Sequence, residues 1–275
     1  MKHACYTILL LLAFLAAFLP CPQTRAENGT AGGTDKGRIR VLVFYGGHPF
    51  NLEEFKSTLF ADSGMDVSYA VLPDERDRLA PGLEKEFDVL VMFDMDQKDP
   101  SPAQKEALKA LLDCGIGYFS FHHDTCALFN WDEYYDICGG KAMLDYAYPN
   151  GSPCATFRGQ RYPFSTFLMG DADFRVADPD HPVMRGVHDF SLHEELYGKI
   201  LVNPDVHVLL ASDSPNMTHA AAWTWHYNNS PVFTTILGHD ASMWGHPDFN
   251  TMFINAIKWL AAETRKERAA LETVP

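Results

Sequence analysis

The chain has 275 residues, of which 47% are hydrophobic, and a formal charge of −14 at pH 7. This composition predicts a globular protein with a large core. The acidic balance excludes nucleic acid and anionic lipid as expected partners, because a surface of this charge repels phosphate groups.

Residues 1–26 are predicted to be a secretory signal peptide. Lys2 precedes an apolar run of about twelve residues, fewer than the roughly 20 that a membrane-spanning helix needs. Thr24-Arg25-Ala26 offers a cleavage site, and an uncleaved anchor is the alternative. We therefore expect export to the periplasm or cell exterior, no membrane insertion after cleavage, and a flexible linker over residues 27–38.

Four cysteines remain after such a cleavage, and export permits disulfides between them. Four cysteines allow three pairings, which the sequence does not separate. No CxxC motif occurs, so a zinc ribbon has no support. We expect buried or disulfide-linked structural cysteines at Cys114, Cys126, Cys138 and Cys154.

Strand-like and helix-like patterns alternate from residue 39 onward. This order predicts an α/β fold with a parallel, doubly wound sheet, right-handed crossovers and helices on both faces. The predicted strands are Ile39–Tyr45, Asp66–Leu72, Phe87–Phe93 and Gly117–Phe121, and the predicted helices are Leu52–Phe60 and one that opens at Ser101-Pro102.

The second half of the chain is less regular. Residues 146–197 are rich in proline, glycine and aromatics, and we expect long loops and short antiparallel strands that cover the carboxyl edge of the sheet. A single domain over residues 39–264 is predicted, followed by a charged, frayed tail at 265–275. The remaining predicted elements are strands at Val206–Leu210, Ala221–Trp225 and Val232–Leu237 and a helix at Phe249–Ala262.

Histidines follow several of these strands. His48 comes after the first, His122-His123-Asp124 after the fourth, and His239-Asp240 after the last. Ligands of open α/β sheets bind outside the carboxyl ends of the strands, so these side chains are expected to converge there. Imidazole and carboxylate together suit a divalent metal or acid/base chemistry.

The segment His193-Glu194-Glu195-Leu196-Tyr197 adds acids and a phenol to this set. Adjacent glutamates on a strand diverge, so we expect only one of them to reach the site. The same alternation predicts that His122 and His123 point apart, with His123 facing the site. The predicted catalytic residues are His122, His123, Glu195 and Tyr197, and the predicted metal ligands are His48, His123, Glu195 and His239.

Other residues are candidates for ligand contact. Gly46-Gly47 permits a tight turn and a close backbone approach to a ligand, but it is neither GxGxxG nor a Walker motif, so no nucleotide is expected. Tryptophans can stack on sugar rings, and Asp240 can orient His239. The predicted ligand-binding set is Gly47, His48, Asp94, Trp131, Trp223 and Asp240.

The order of these motifs resembles the ThuA-like (trehalose utilisation) family. The resemblance runs from about residue 39 to 262 and includes Gly46-Gly47-His48, Phe121-His122-His123, Asn130-Trp131, the His193–Tyr197 segment and Leu237-Gly238-His239-Asp240. It implies a flavodoxin-like, class I glutamine amidotransferase-like fold without the amidotransferase cysteine. It also implies carbohydrate catabolism, with keto-sugars or glycosides as substrates.

Two positions depart from the family pattern. The segment that usually reads Asp-Glu is Glu194-Glu195 here, and only Asp145 follows the Gly139-Gly140 pair at a point where many members carry a histidine or acid. The leading hypothesis is an exported enzyme that acts on a carbohydrate with one zinc, manganese or nickel ion. The alternatives are a non-catalytic sugar-binding module and thiol chemistry at Cys126.

Overall fold

The computed structural model describes residues 37–144 and 154–273. The predicted signal peptide, most of the predicted linker and Asp145 lie outside these ranges. Within them, none of the helices has the length and apolar character required to cross a membrane.

Five parallel strands form one half of a nine-stranded sheet. They are β1 (Arg40–Gly46), β2 (Asp66–Leu72), β3 (Val89–Asp94), β4 (Gly117–Phe121) and β13 (Ser230–Thr235). Their spatial order is β2-β1-β3-β4-β13, so the first four strands of the chain and a late strand lie side by side. This is the flavodoxin-like order, so the predicted fold class is confirmed.

The other half of the sheet is antiparallel. It continues from β13 through β12 (Ala220–Tyr227) and β11 (His207–Ala211) to a long hairpin of β8 (Thr166–Val176) and β9 (Phe190–Gly198). The sequence analysis predicted loops and short strands in this region, which is wrong for β8 and β9. Two small ribbons pair β5 (Gly140–Lys141) with β10 (Leu201–Val202), and β6 (Cys154–Phe157) with β7 (Gln160–Pro163).

Helices cover both faces of the sheet, as the predicted three-layer arrangement requires. Alternate residues of β1 point to opposite faces: Val41 and Val43 join one buried cluster and Leu42 and Phe44 the other. The first cluster lies under α1 (Leu52–Leu59), α4 (Ala241–Trp244) and α5 (Pro247–Glu272). The second lies under α2 (Pro102–Asp113), which begins with a capping box at Ser101, and α3 (Glu133–Cys138).

The helix α5 continues to Glu272, so the predicted end at Ala262 and the predicted frayed tail are wrong. The extension is held at the amino-terminal edge of the sheet. Thr264 is fully buried against Gly117, and Arg268 donates a hydrogen bond to the Phe87 carbonyl. These tertiary contacts, which local charge patterning does not reveal, keep the charged segment helical.

Asp88 anchors the same edge. Its carboxylate accepts hydrogen bonds from the Arg40 backbone (2.9 Å) and guanidinium (3.0 Å), and Arg265 lies within 3.8 Å. Burial alone would raise the pKa of Asp88, but the hydrogen bonds from Arg40 outweigh it and lower the pKa. The carboxylate therefore stabilises the fold above its unfolded pKa of about 3.9, and this contribution is lost as the pH falls through the lower folded value.

We predict that Asp88→Asn lowers the free energy of unfolding by about 1–3 kcal/mol at pH 7, because it removes a buried, charged acceptor from the partly buried donors of Arg40. Urea denaturation measures the change, and the difference from wild type should shrink below about pH 4. Asp66→Asn is the control, since Asp66 pairs with Arg38 where both side chains are 54% exposed. An equal loss in both variants would contradict the anchoring role.

Candidate functional site

Four histidines and one glutamate meet at the carboxyl edge of the parallel strands. His48 follows β1, His122 and His123 follow β4, and His239 comes shortly after β13. Glu195 lies on β9, and its side chain contacts the His122 and His239 rings at this edge of the sheet. The convergence predicted from the strand ends is thus present.

Glu195 lies at the centre of the group. Its Oε2 atom is 3.3 Å from His122 Nε2 and 3.0 Å from His239 Nδ1. Together with His123, these residues offer four ligand atoms that all lie within 4.8 Å of one another. The His122 side chain is fully buried and His123 is nearly so, whereas Glu195 and His239 are partly open to solvent.

The hydrogen bond made by the His122 ring shows which of its two nitrogens carries a proton. Its Nδ1 atom lies 2.9 Å from the Ile236 carbonyl, which can only accept, so the Nδ1–H donates and Nε2 of the neutral ring carries a lone pair. That lone pair faces a carboxylate oxygen. His122 Nε2, Glu195 Oε2 and His239 Nδ1 are all buried atoms without a geometrically acceptable hydrogen bond. A proton on His122 Nε2, or a metal ion between the two atoms, would make this contact attractive.

The donor set fits a divalent metal. Ligand atoms at about 2.0–2.2 Å from a zinc ion stand roughly 3.0–3.5 Å apart, which matches the separations from Glu195 to His122 and His239. The hydrogen bond from His122 to a backbone carbonyl is also typical of metal-bound imidazole, because it fixes the tautomer and the ring orientation.

The sequence analysis predicted His48 as a metal ligand and His122 as a catalytic residue, and the geometry favours the reverse. The compact group contains His122 rather than His48, while the His48 ring stacks on His123 at 4.2 Å between centroids. The expectation that His122 and His123 point apart is wrong, because His122 has φ +51° and opens a turn of 3-10 helix, where strand alternation does not apply. Their rings are 4.2 Å apart.

The charges in the group are set by burial and by Glu195. Burial and the neighbouring imidazoles lower the pKa of His123 far below its usual value, and burial also lowers the pKa of His48. Burial would raise the pKa of Glu195, but the nearby His122 and His239 rings lower it strongly. Glu195 in turn raises the pKa of His239. At neutral pH the site holds a carboxylate and at least two neutral imidazoles.

Glu194 supports the site from the opposite face of β9, as the divergence of adjacent glutamates predicted. Its Oε1 atom accepts hydrogen bonds from the backbone N–H groups of Gly238 (3.1 Å) and His239 (2.9 Å). This contact positions the turn that carries His239. Sequence reasoning missed this function, and the only signal for it was a second acid next to Glu195.

Tyr197 lies behind His122 rather than in the open part of the site. Its ring packs against the His122 ring at 4.5 Å, it is 1% exposed, and its hydroxyl lies beside the Cys126 thiol. Burial raises the pKa of Cys126 to about 12, so this turn holds no thiolate at neutral pH. Cys126, Cys138 and Cys154 are free thiols.

The predicted sugar-stacking tryptophans belong to the core. Trp223 is fully buried and donates to the Cys138 carbonyl at 3.0 Å, and Trp131 is 7% exposed beside Tyr134. Neither ring is open to a ligand, so the prediction is corrected for both. Large aromatic side chains are more often buried than exposed, and that tendency prevailed here.

Two of the three remaining predicted contacts are also corrected. Asp240 caps α4 by accepting from Ser242, so Glu195 and not Asp240 lies against the His239 ring. Asp94 is buried beside Asp124 on the face covered by α2 and α3. At Gly47, with φ +72°, a Cβ atom would lie 2.4 Å from the Met95 carbonyl oxygen, so only glycine fits this turn, and its contact with a ligand stays a prediction.

Fold and site together define a class: a flavodoxin-like α/β protein of the class I glutamine amidotransferase-like type, with imidazoles at the turn after β4. A family profile described as ThuA, trehalose utilisation, matches residues 40–260. The chain therefore belongs to the ThuA family, and the resemblance found in the sequence is confirmed.

Solved structures support the same assignment of the fold. A ThuA-like protein from Parabacteroides merdae ATCC 43184 matches with a TM-score of 0.67 at 18% identity, over 82% of this chain and 90% of that chain. A ThuA-like protein from Bacteroides uniformis ATCC 8492 matches with a TM-score of 0.58 at 16% identity, over 84% and 95%. No curated protein sequence matches the chain.

We predict that Gly238→Ala disrupts the turn that carries His239. A Cβ atom there would lie 2.1 Å from a ring carbon of the buried Phe121. Gly82→Ala is the matched control, because Gly82 has a similar φ (+113° against +122°) and open space around it. Urea denaturation should show a loss for Gly238→Ala that exceeds the control by about 2 kcal/mol. Equal losses would show that the backbone conformation alone matters.

Proposed function

We propose that His122, His123, Glu195 and His239 bind one divalent metal ion, and that the protein uses this site as an enzyme of carbohydrate catabolism. The observation that carries the metal proposal is the close grouping of four donor atoms within 4.8 Å of one another. Within this group His122 Nε2 faces the Glu195 carboxylate, while the other ring nitrogen of His122 donates to the Ile236 carbonyl and so fixes the ring orientation.

Three imidazoles with one carboxylate favour zinc, manganese or nickel over calcium or magnesium, which prefer oxygen ligands. Such an ion supplies Lewis acidity, which stabilises negative charge on a substrate oxygen. No glycine-rich phosphate motif accompanies the site, so we propose no nucleotide cofactor.

His48 is the residue that we assign to proton transfer. It stacks on His123, it is partly exposed, and it lies outside the four-residue group. Its Nδ1 atom is buried without a hydrogen-bond partner in the described chain, and burial lowers its pKa, so the imidazole is unprotonated at pH 7 and can accept a proton. Removal of a proton from the carbon next to a carbonyl group requires a base and a group that stabilises the negative charge on the carbonyl oxygen. His48 would be the base, and the proposed metal site would stabilise the charge.

The family description supports a proposal for the substrate class. The ThuA profile is described as trehalose utilisation, and we propose a keto-sugar or keto-glycoside as substrate. A keto group makes the neighbouring C–H bond acidic. Elimination then needs a base that takes this proton, a group that stabilises the enolate and an acid that protonates the oxygen leaving the next carbon; hydration is the reverse, with water adding where that group left. The predicted signal peptide supports the further proposal that the protein acts outside the cytoplasm.

We predict about one equivalent of divalent metal in protein that is purified without added metal, measured by elemental analysis. His123→Ala/Glu195→Ala should lose it, because two of the four ligands are removed. His188→Ala is the control, since His188 pairs with Asp248 at an exposed surface position and its side chain is 81% exposed. Absence of metal in the wild type, even after incubation with zinc, manganese or nickel, would exclude the metal site.

We predict that His48→Gln keeps the metal but lowers keto-glycoside turnover by about 10²–10⁴-fold, the usual contribution of a general base. Consumption of 3-keto-trehalose and related keto-glycosides, followed by chromatography, measures the rate. Sugar binding without product in the wild type would instead favour a non-catalytic binding module. Loss of metal in His48→Gln would make His48 a ligand rather than a base.

A further inference from the structure

One face of the β8–β9 hairpin carries a row of side chains that begins at Glu195. The two strands pair in antiparallel register, and directly opposed residues point to the same face of the hairpin. Residues two apart on a strand also share a face. The row therefore consists of the cross-strand pairs Met169–Glu195, Asp171–His193 and Asp173–Ser191.

This row is exposed and its outer pairs are hydrogen-bonded. Met169 is 53% exposed, an unusual state for a large apolar side chain beside a polar site. His193 Nδ1 lies 2.7 Å from Asp171 Oδ1, and the Ser191 hydroxyl donates to Asp173 at 2.5 Å. Ser191 is four residues from Glu195, which corresponds to about 13 Å along the strand. A single pyranose ring is shorter than this distance.

The row ends in an open cleft of about 590 Å³. Asp173 and Ser191 belong to both the row and the cleft, and Arg175, Asp213 and Ser214 also line the cleft. The volume falls within the usual range of ligand sites, roughly 300–1,000 Å³. The histidine site and the cleft are thus joined by a continuous strip of polar groups on one hairpin.

We propose that this row and cleft bind the sugar units of a neutral oligosaccharide or glycoside that lie beyond the unit at Glu195. The inference rests on the proposed carbohydrate function and names its substrate class. Carboxylate and hydroxyl groups in a row pair with sugar hydroxyls, and Met169 offers an apolar surface to the C–H face of a ring. Asp173, Asp189 and Asp213 outnumber Arg175 in the cleft, so acidic sugars are repelled.

The test is a glycan array of neutral mono- to hexasaccharides beside oligouronates, followed by calorimetric titration of the glycans that bind. Neutral chains of two or more units should bind more tightly than the matching monosaccharide, and oligouronates should not bind. His193→Ala and Asp173→Ala should weaken oligosaccharide binding roughly ten- to hundredfold, the effect of losing a hydrogen bond to a charged group. Their affinity for the monosaccharide should be unchanged.

Leu168→Ala is the matched control. Leu168 adjoins Met169 and is 49% exposed, but it lies on the opposite face of the strand, so its substitution should leave binding unchanged. Equal affinity for monosaccharides and oligosaccharides, or an equal effect of Leu168→Ala, would overturn the extended site alone. Absence of binding by every glycan would also overturn the extended site, while keto-glycoside turnover and metal analysis of the same samples report separately on the proposed function of the histidine site.

Discussion

The site depends on two neighbouring glutamates of β9 that point in opposite directions. Glu195 enters the histidine group, and Glu194 accepts the backbone N–H groups that precede and include His239. Both contacts join β9 to the segment after β13, although β9 is the edge strand of the sheet and β13 is near its centre. The two carboxylates thereby hold the β8–β9 hairpin against the carboxyl edge of the sheet. This contact sets the position of Glu195 relative to the three histidines of the proposed metal site.

Burial explains why this group needs a carboxylate. An imidazolium ion in a buried position is costly, so a group of close histidines remains largely neutral unless an anion or a bound cation changes the balance. His123 follows this rule, whereas the pKa of His239 is raised because Glu195 is adjacent. A deprotonated imidazole and an ionised carboxylate are the forms that bind a metal, so His123 and Glu195 are already in the ligand form at neutral pH, whereas a metal at His239 would compete with a proton.

The sequence predicted the parallel strands and most of the site well, because both follow from local patterns. Buried β-rich runs marked β1 to β4 within about two residues, and the rule for strand ends brought His48, His122, His123 and His239 together. The errors concern features that are determined by contacts between distant parts of the chain. Burial of Trp223, capping by Asp240 and the long extension of α5 depend on partners distant in sequence, and no local pattern distinguishes a core tryptophan from an exposed one.

The prediction that His122 and His123 point apart, as successive side chains of a strand do, failed because both residues lie in the turn after β4. A positive φ at His122 costs energy for a residue with a Cβ atom, and such strain persists only where surrounding contacts hold it. Here the Ile236 carbonyl and the Tyr197 ring hold the imidazole. Sharp turns of this kind present a nucleophile at a strand end in hydrolase folds. In this protein the turn instead brings two adjacent imidazoles to one point, which an extended strand cannot do. The strained turn that suits thiol or hydroxyl chemistry is therefore equally suited to a cluster of nitrogen ligands.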